Sequence, residues 1–241
     1  MAITGRVSLD QLGGDRVSCI VPAHNAAAYL GEALASILGQ TFSPFEVVVI
    51  DDGSTDQTVD IARRHGQPVR VISRECGSPA ATRNAGIEAS KGEFLAFLDP
   101  DDLWHEDKLR RQLDRFRARP ELDCSVTHVR NFWSDALSEE AAKYRDHPRM
   151  QPVPGYAFIT LLARRRAFDK AGNLSPDRWF SDSVEWFMRA RQRGLEIELL
   201  PDILTLHRLH ANNLTRRRDS ASRDEYVDLV RASLIRRRAG S

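Results

Sequence analysis

The sequence predicts an α/β fold with a mostly parallel central sheet flanked by helices, followed by a less regular C-terminal segment. Short apolar runs alternate with amphipathic stretches along the first half of the chain, as in repeated β-α-β units. The 241 residues are 41% hydrophobic and 29% charged, an ordinary composition for a globular domain. We therefore expect a single domain, with a first half at about 15–120, a second half at about 121–215 and a basic C-terminal helix at 216–241.

Four strands and four helices are predicted in the first half. The strand candidates are short, apolar and rich in β-branched or aromatic residues, as expected of parallel strands buried on both faces. The helix candidates carry amphipathic spacing or helix-boundary signals. The predicted strands are 17–22, 45–50, 69–72 and 94–98. The predicted helices are 27–40, one that opens at the capping box 54–57, 79–89 and 105–118.

The second half shows weaker patterns. Its polar, proline-containing stretch 135–155 predicts a mobile loop. The remaining candidates are strands at 124–132 and 158–162, a helix at 181–193, extended segments at 196–200 and 203–208, and a terminal amphipathic helix at 222–238.

Charge and cysteine content exclude several classes of protein. The net charge of +1 gives no general attraction to nucleic acid, and no aromatic platform accompanies the arginines. Three cysteines without metal-ligand spacing indicate reduced thiols rather than a disulfide framework. No signal peptide is visible, and no apolar run approaches the roughly 20 residues that span a bilayer. We therefore expect a cytoplasmic protein.

Arginine triplets occur at 164–166, 216–218 and 236–238. Each is interpreted either as a solvated basic surface or as a group that steers an anionic substrate. The first triplet follows a strand candidate, which would place it near the acceptor edge of a site.

Polar side chains follow three of the predicted strands. They are His24 and Asn25, then Asp51 and Asp52, then the run Asp99-Pro100-Asp101-Asp102. In parallel sheets, ligands bind beyond the carboxyl ends of the strands. Carboxylates suit Mg²⁺ or Mn²⁺, and a metal held by one or two of them keeps positions free for substrate phosphates. The alternative for the last run is that Asp101 or Asp102 caps the following helix.

The ordered motifs of the first half resemble those of inverting family 2 glycosyltransferases with the GT-A fold. The matching stretches are 17–25, 40–42, 50–56, 83–86 and 97–102, the last containing the DXD motif. The second half matches more loosely, through 181–189, 200–201 and 207–210.

The resemblance implies a role for each matching residue. The nucleotide-sugar would contact Pro22, His24, Asn25, Asp52, Arg83, Asp99, Asp101 and Arg208. Within that set, Asp101 would bind Mn²⁺ or Mg²⁺ with support from Asp102, and His210 would be the further metal or diphosphate ligand. His24 departs from the aromatic residue that the family often has at its position.

Inverting transfer requires a base that removes the acceptor proton. The resemblance places an acidic residue at a helix start in the second half, where Asp182 matches best and Glu185 is the second candidate. Ser181 departs from the usual Glu-Asp pair. The two acids could instead be a capping pair. Trp179 and Trp186 flank this point and would line an acceptor pocket or pack in the core.

The implied function is the transfer of a sugar from a nucleotide-sugar, with UDP as the expected nucleotide, to a soluble acceptor. A peptide Ser, Thr or Cys and a small molecule are the favoured acceptors, and a polysaccharide or a lipid-linked sugar stays open. The protein would act as a monomer or homodimer. One alternative is a sugar-phosphate nucleotidyltransferase, which the absence of glycine from 22–25 disfavours. Another is a catalytically inactive sugar- or peptide-binding domain, which the intact acidic sites disfavour.

Overall fold

The computed structural model describes residues 15–144, 147–213, 224–229 and 231. Within these residues the chain forms one nine-stranded sheet with helices packed on it, which confirms the predicted α/β class. The strands are β1 Val17–Ala23, β2 Glu46–Asp51, β3 Val69–Ser73, β4 Phe94–Phe97, β5 Leu103–Trp104, β6 Cys124–Trp133, β7 Val153–Pro154, β8 Leu162–Arg164 and β9 Ile197–Leu209. The helices are α1 Leu30–Leu38, α2 Thr58–Arg64, α3 Pro79–Ala89, α4 Lys108–Ala118, α5 Ser138–Lys143, α6 Arg165–Ala171 and α7 Asp182–Gln192.

The strand order places the carboxyl ends of the first strands together. The order is β3-β2-β1-β4-β8-β6-β9-β5, and β7 pairs with β6. The first four strands are parallel, and β8 joins β4 in the antiparallel sense. Strands β2 and β3 lie on one side of β1, and β4 lies on the other side, so the strand order reverses at β1. Such a reversal opens a crevice at the carboxyl ends of the two flanking strands, where ligands bind in open α/β sheets.

The core lies on both faces of this sheet. Val17, Cys19 and Val21 of β1 face one apolar cluster, which includes apolar residues of α1 and α4. Ile20 of β1 faces the other cluster, which includes apolar residues of α3, α6 and α7. Helix α3 approaches β1 closely, because a Cβ on Gly86 would lie 2.3 Å from Cγ2 of Ile20.

Several predicted elements differ from the observed ones. Helix α2 begins at Thr58. The backbone N–H of Thr58 donates to the Asp56 carboxylate at 2.9 Å, so the predicted capping box at 54–57 does not form. The predicted strand 158–162 is instead a buried 3-10 turn, Phe158–Thr160, followed by β8. The turn forms there because the Thr160 hydroxyl donates to the carbonyls of Gly155 and Ala157.

The stretch 135–155 also contains more regular structure than the predicted loop. It includes α5, and β7 adds to the edge of β6. The two extended segments predicted at 196–200 and 203–208 form a single strand, β9, which pairs along the whole of β6.

The terminal helix is described only in part. Residues 224–229 and 231 are helical. The rest of the predicted helix 222–238 and the arginine triplets 216–218 and 236–238 lie outside the described residues. Throughout the described part of the chain, every helix is too short or too polar to traverse a bilayer.

Candidate active site

The ends of β1 and β2 are joined through the exposed side chains that follow β1. His24 donates from Nδ1 to the Asp52 carbonyl oxygen at 2.6 Å. Asn25 has a left-handed backbone, with φ of 47°, and its side-chain oxygen accepts from the Thr55 N–H at 2.8 Å. Pro22 is buried within β1. The polar groups at this edge are therefore fixed by their neighbours while His24 and Asn25 remain open to solvent.

The Asp52 carboxylate holds the loop that follows β3. It accepts hydrogen bonds from the backbone N–H groups of Cys76 at 2.6 Å and Gly77 at 3.1 Å. It also accepts from the Thr82 hydroxyl of α3 at 3.2 Å. The carboxylate thus has a structural role at the position predicted to contact the nucleotide.

Arg83 connects the two halves of the predicted site. Its guanidinium donates to Asp99 at 2.6 Å and to Asp182 at 2.8 Å, and its side chain is only 9% exposed. Burial lowers the pKa of Arg83, but the charges of Asp99 and Asp182 outweigh burial and raise that pKa above its ordinary value. One charged bridge therefore links the end of β4 to the start of α7, although 83 residues separate the two carboxylates in sequence.

Asp101 and His210 are in direct contact. His210 donates from Nε2 to the Asp101 carboxylate at 2.9 Å, and the Asn213 side-chain amide donates to the same oxygen at 3.3 Å. Asn213 also donates to the Arg208 carbonyl at 2.9 Å. The structure thus brings the two residues predicted as metal ligands together.

Arg208 lies beneath this pair and is buried. Its guanidinium donates to the Asp101 carbonyl at 2.9 Å and forms an ion pair with Glu32 of α1 at 2.8 Å. The rings of Tyr29 and Phe132 lie on the guanidinium, each 4.7 Å from its central carbon. These contacts hold the Asp101 backbone against α1, β6 and β9. The predicted contact of Arg208 with a phosphate would require it to exchange one of these partners.

Asp102 supports the site from inside the protein. It is fully buried and accepts from His207 Nδ1 at 2.9 Å and from the Arg208 N–H at 2.9 Å. Burial raises the pKa of Asp102 to about 6. Burial opposes a charge on His207 as well, but Asp102 outweighs it and raises the pKa of His207 to about 9. The pair therefore favours a protonated His207 and fixes β9 against the end of β4.

Asp101 and His210 bring together a carboxylate and an imidazole, two kinds of side chain that can bind a divalent metal ion. His210 now donates its Nε2 proton to Asp101, so it would have to lose that proton to bind a metal ion through the same nitrogen. Across the described residues, no three His, Cys, Asp or Glu side chains are grouped so as to hold a metal ion. Two protein ligands would leave most positions for substrate oxygens, an arrangement that Mg²⁺ commonly adopts.

The two candidate bases at α7 have different surroundings. Asp182 begins the helix, is 6% exposed, and accepts from Arg83 and from the Ser183 N–H at 2.7 Å. Burial raises the pKa of Asp182 above its ordinary value, although Arg83 opposes the increase. Glu185 instead binds Arg189 at 3.0 Å and the Ser175 hydroxyl at 3.2 Å. The two acids do not form the reciprocal capping pair, because Glu185 turns away from the start of the helix.

The two tryptophans near α7 differ in their exposure to solvent. Trp186 is completely buried among Phe158, Phe168 and Phe187, and its indole N–H donates to the Gly172 carbonyl at 2.9 Å. Trp186 is therefore a core residue, and its prediction as an acceptor-pocket residue is wrong. Trp179 is 46% exposed, so its role at an acceptor pocket stays a prediction.

The arginine triplet 164–166 lies far from the predicted site. Arg164 pairs with Phe94 at the start of β4, whereas Asp99 follows the end of that strand. Arg165 donates to backbone carbonyls that include Gly92, and Arg166 binds Asp123 at 2.9 Å. The prediction that this triplet lies at the acceptor edge is therefore wrong. Because β8 is antiparallel to β4, the end of β8 lies beside the start of β4, at the other end of the strands from Asp99.

Some residues of the site were not identified from the sequence. Tyr29, Glu32, His207 and Asn213 contact the predicted residues, and Glu225 of the terminal helix reaches the loop before α7. His207 lies in the stretch 207–210 that resembles the family, so the sequence did contain a signal that could have identified it. The other contacts depend on helix and strand packing that no local pattern reveals.

Comparisons with known proteins identify the family of the chain. The family model described as Glycosyl transferase family 2 matches residues 18–180. "Putative glycosyltransferase EpsH" of Bacillus subtilis is 29% identical over 224 residues, covering 83% of this chain and 63% of that protein. "Putative teichuronic acid biosynthesis glycosyltransferase TuaG" of the same species is 39% identical over 107 residues, covering 43% of this chain and 42% of that protein.

Solved structures share the fold. The crystal structure of S. aureus TarS 1–349 in complex with UDP-GlcNAc superposes with a TM-score of 0.69 at 22% identity, covering 85% of this chain and 62% of that one. This chain spans less than two thirds of the length of EpsH, TuaG and the TarS chain. The fold is thus the expected GT-A-like arrangement. Because the family model covers more than half of the sequence, the chain belongs to glycosyltransferase family 2.

Proposed function

We propose that this chain transfers a sugar from a UDP-sugar to an acceptor with inversion at the anomeric carbon, and that Asp182 is the base. The observation that carries the proposal is the Arg83 bridge. It holds Asp99, in the motif predicted to bind the donor, and Asp182, the predicted base, on one guanidinium. The donor and the base would therefore lie on either side of Arg83.

The environment of Asp182 supports a role as base. A general base works best when its pKa approaches the working pH, and burial raises the pKa of Asp182. In the proposed step Asp182 takes the proton from the acceptor hydroxyl or thiol while the acceptor atom bonds to the anomeric carbon. The bond from that carbon to the diphosphate oxygen breaks, and its electron pair leaves with the nucleotide. Arg83 would keep the carboxylate oriented toward the acceptor.

Asp101 and His210 would hold Mn²⁺ or Mg²⁺ beside the diphosphate. When bound, the ion would neutralise the negative charge that develops on the leaving diphosphate. Arg208 and Asp102 would support this pair by fixing the Asp101 backbone and β9. TarS has been solved with UDP and with UDP-GlcNAc, which favours uridine nucleotides as the first donors to test. For the acceptor we propose a soluble molecule, with a peptide side chain or a small molecule favoured.

Donor and metal binding are tested with the chain and a panel of UDP-sugars. A matching donor should raise the melting temperature with Mn²⁺ and not with EDTA. Asp101→Ala should remove the metal-dependent shift. A donor-dependent shift that survives both EDTA and Asp101→Ala would contradict the metal assignment.

The base is tested through release of UDP from the donor, with water standing in for the acceptor. Asp182→Asn should slow this release by about 10²–10⁴-fold, the usual contribution of a general base, and leave UDP binding near wild type. Glu185→Gln, one helical turn away, is the matched variant and should retain the activity. Loss in Glu185→Gln with retention in Asp182→Asn would show that the base is wrongly assigned.

A further inference from the structure

We propose that Glu225, on the terminal helical segment, is a positioning residue that holds the start of α7 and so orients Asp182. Its carboxylate accepts four donors from the loop that precedes the helix. The donors are the backbone N–H groups of Trp179 at 3.3 Å, Phe180 at 3.2 Å and Ser181 at 3.0 Å, and the Ser181 hydroxyl at 2.7 Å. This role rests on the proposed function of Asp182 as base.

Asp182 accepts the Ser183 N–H within α7, but the N-cap residue does not replace the contact with Glu225. Ser181 is the N-cap residue, yet its side chain makes no capping hydrogen bond within the helix and donates to Glu225 instead. The N-terminal N–H groups of a helix lack partners inside the helix and carry its positive end. A carboxylate that accepts three successive N–H groups just before that end forms charge-assisted hydrogen bonds, which are stronger than neutral ones.

The terminal segment also donates a hydrogen bond to this loop. The Tyr226 hydroxyl donates to the Phe180 carbonyl at 2.6 Å. Arg178 donates to the Glu225 carbonyl at 3.4 Å. The terminal segment therefore binds both donors and acceptors of the loop, which restricts rotation of its peptide groups.

The position of Asp182 depends directly on this loop. Asp182 follows Ser181 as the first residue of α7, and its two oxygens accept from Arg83 at 2.8 Å and Ser183 at 2.7 Å. A shift of the helix start would carry the carboxylate away from Arg83. Misplacement of a catalytic group by about 1 Å can reduce turnover about 10²-fold. Glu225 would thus affect the rate of the chemical step without touching the donor.

The proposal is tested with Glu225→Ala in the full chain. Asp228→Asn is the matched control, because Asp228 lies on the same helical segment, is exposed, and pairs with Arg231 at 3.6 Å. Glu225→Ala should lower kcat for UDP release by about 10- to 100-fold and leave the KM for the donor unchanged. Glu225→Asp, which keeps the charge on a shorter side chain, should recover part of the loss. Asp228→Asn should stay within about twofold of wild type, as surface substitutions usually do.

Two further measurements separate a positioning role from a general loss of stability. If Glu225 acts through Asp182, the double variant Asp182→Asn/Glu225→Ala should be no slower than Asp182→Asn alone. Amide hydrogen exchange at residues 179–181 should accelerate in Glu225→Ala and not in Asp228→Asn. Unchanged kcat in Glu225→Ala, or losses that multiply in the double variant, would overturn the proposal.

The same set distinguishes failure of this inference from failure of the proposed function. If Asp182→Asn retains activity, the base assignment is wrong whatever Glu225 does. If Asp182→Asn abolishes activity while Glu225→Ala has wild-type kcat and wild-type exchange at 179–181, only the positioning role is wrong.

Discussion

Replacing Arg83 with methionine tests the bridge on which the active-site geometry depends. Arg83 is buried and binds Asp99 and Asp182, whose side chains are 31% and 9% exposed. Methionine fills a similar space without charge. The substitution therefore leaves a buried carboxylate at Asp182 without its cation, and a partly exposed one at Asp99.

The expected loss of stability follows from these exposures. Removing one partner of a buried ion pair costs about 3–5 kcal/mol, whereas a solvent-exposed pair contributes at most about 1 kcal/mol. For a chain of this size, each 1 kcal/mol lowers the melting temperature by about 2–4 °C. Arg83→Met should therefore lower it by roughly 6–20 °C at pH 7, and almost all of the loss should come from Asp182.

The loss should depend on pH in a defined direction. Burial already raises the pKa of Asp182, and without Arg83 nothing of comparable strength opposes that rise. In the variant, the folded state then binds a proton at Asp182 at pH values where the unfolded state does not. Proton uptake by the folded state increases stability as the pH falls. The difference between Arg83→Met and wild type should therefore shrink from pH 7 to pH 5.

The assays are thermal unfolding at pH 7 and urea unfolding at pH 7 and pH 5, for wild type, Arg83→Met and Arg83→Met/Asp182→Asn. The double variant should be more stable than Arg83→Met at pH 7, because the unpaired buried charge is gone. Arg115→Met is the control, since Arg115 pairs with Glu198 at 2.9 Å with its own side chain 42% exposed, and it should cost at most about 1 kcal/mol. If Arg83→Met costs no more than Arg115→Met, and the double variant is not rescued, the bridge does not stabilise the site.

Two further predictions concern the core. Gly86→Ala should destabilise the fold by about 1–3 kcal/mol in urea unfolding, because the new Cβ would lie 2.3 Å from Ile20 Cγ2. Gly31→Ala, whose Cβ would have 3.9 Å to its nearest neighbour, should be neutral or stabilising, and equal effects of the two would refute the close packing of α3 on β1. Lys108 is fully buried beside the Trp104 ring, and burial lowers its pKa from 10.5 to about 7. The unfolded state therefore keeps this proton up to a higher pH, so stability should rise with pH between about 7 and 10, by at most about 1.4 kcal/mol per unit. Unfolding of Lys108→Met across this range should lack that rise, and identical slopes in the two proteins would contradict the burial of the ammonium group.

The first half of the fold could be predicted because its signals are local. Each parallel strand is an apolar run, and the polar residues that follow such runs necessarily meet at one edge of the sheet. The prediction that Asp52 and Asp99 lie at the same edge of the sheet depends only on that rule, and the strands that they follow, β2 and β4, flank β1. The boundaries of the predicted helices and strands differ from the observed ones by a few residues, because helix starts depend on contacts such as that of Asp56 with Thr58.

The second half could not be predicted in the same way. The contact between Asp101 and His210 requires β9 to lie beside β6, and the register of that pair shifts at His128. Trp186 could not be assigned from sequence, because an aromatic residue on an amphipathic helix fits a core and a pocket equally well. Glu225 reaches its loop from the terminal helix, 44 residues after Ser181, and no spacing rule links such positions.

The placement of β5 sets the order in which the site can be completed. In the described sheet β5 hydrogen-bonds to β9, with Leu103 opposite Leu206, and β5 directly follows Asp102. The end of β4 therefore gains its final surroundings only when a segment about one hundred residues later has been synthesised and inserted. Contacts so distant in sequence form slowly, because a long loop must close before they stabilise anything. Activity would thus appear late in biosynthesis, after β9 has been synthesised and has paired with β5, which makes it a marker of an assembled sheet.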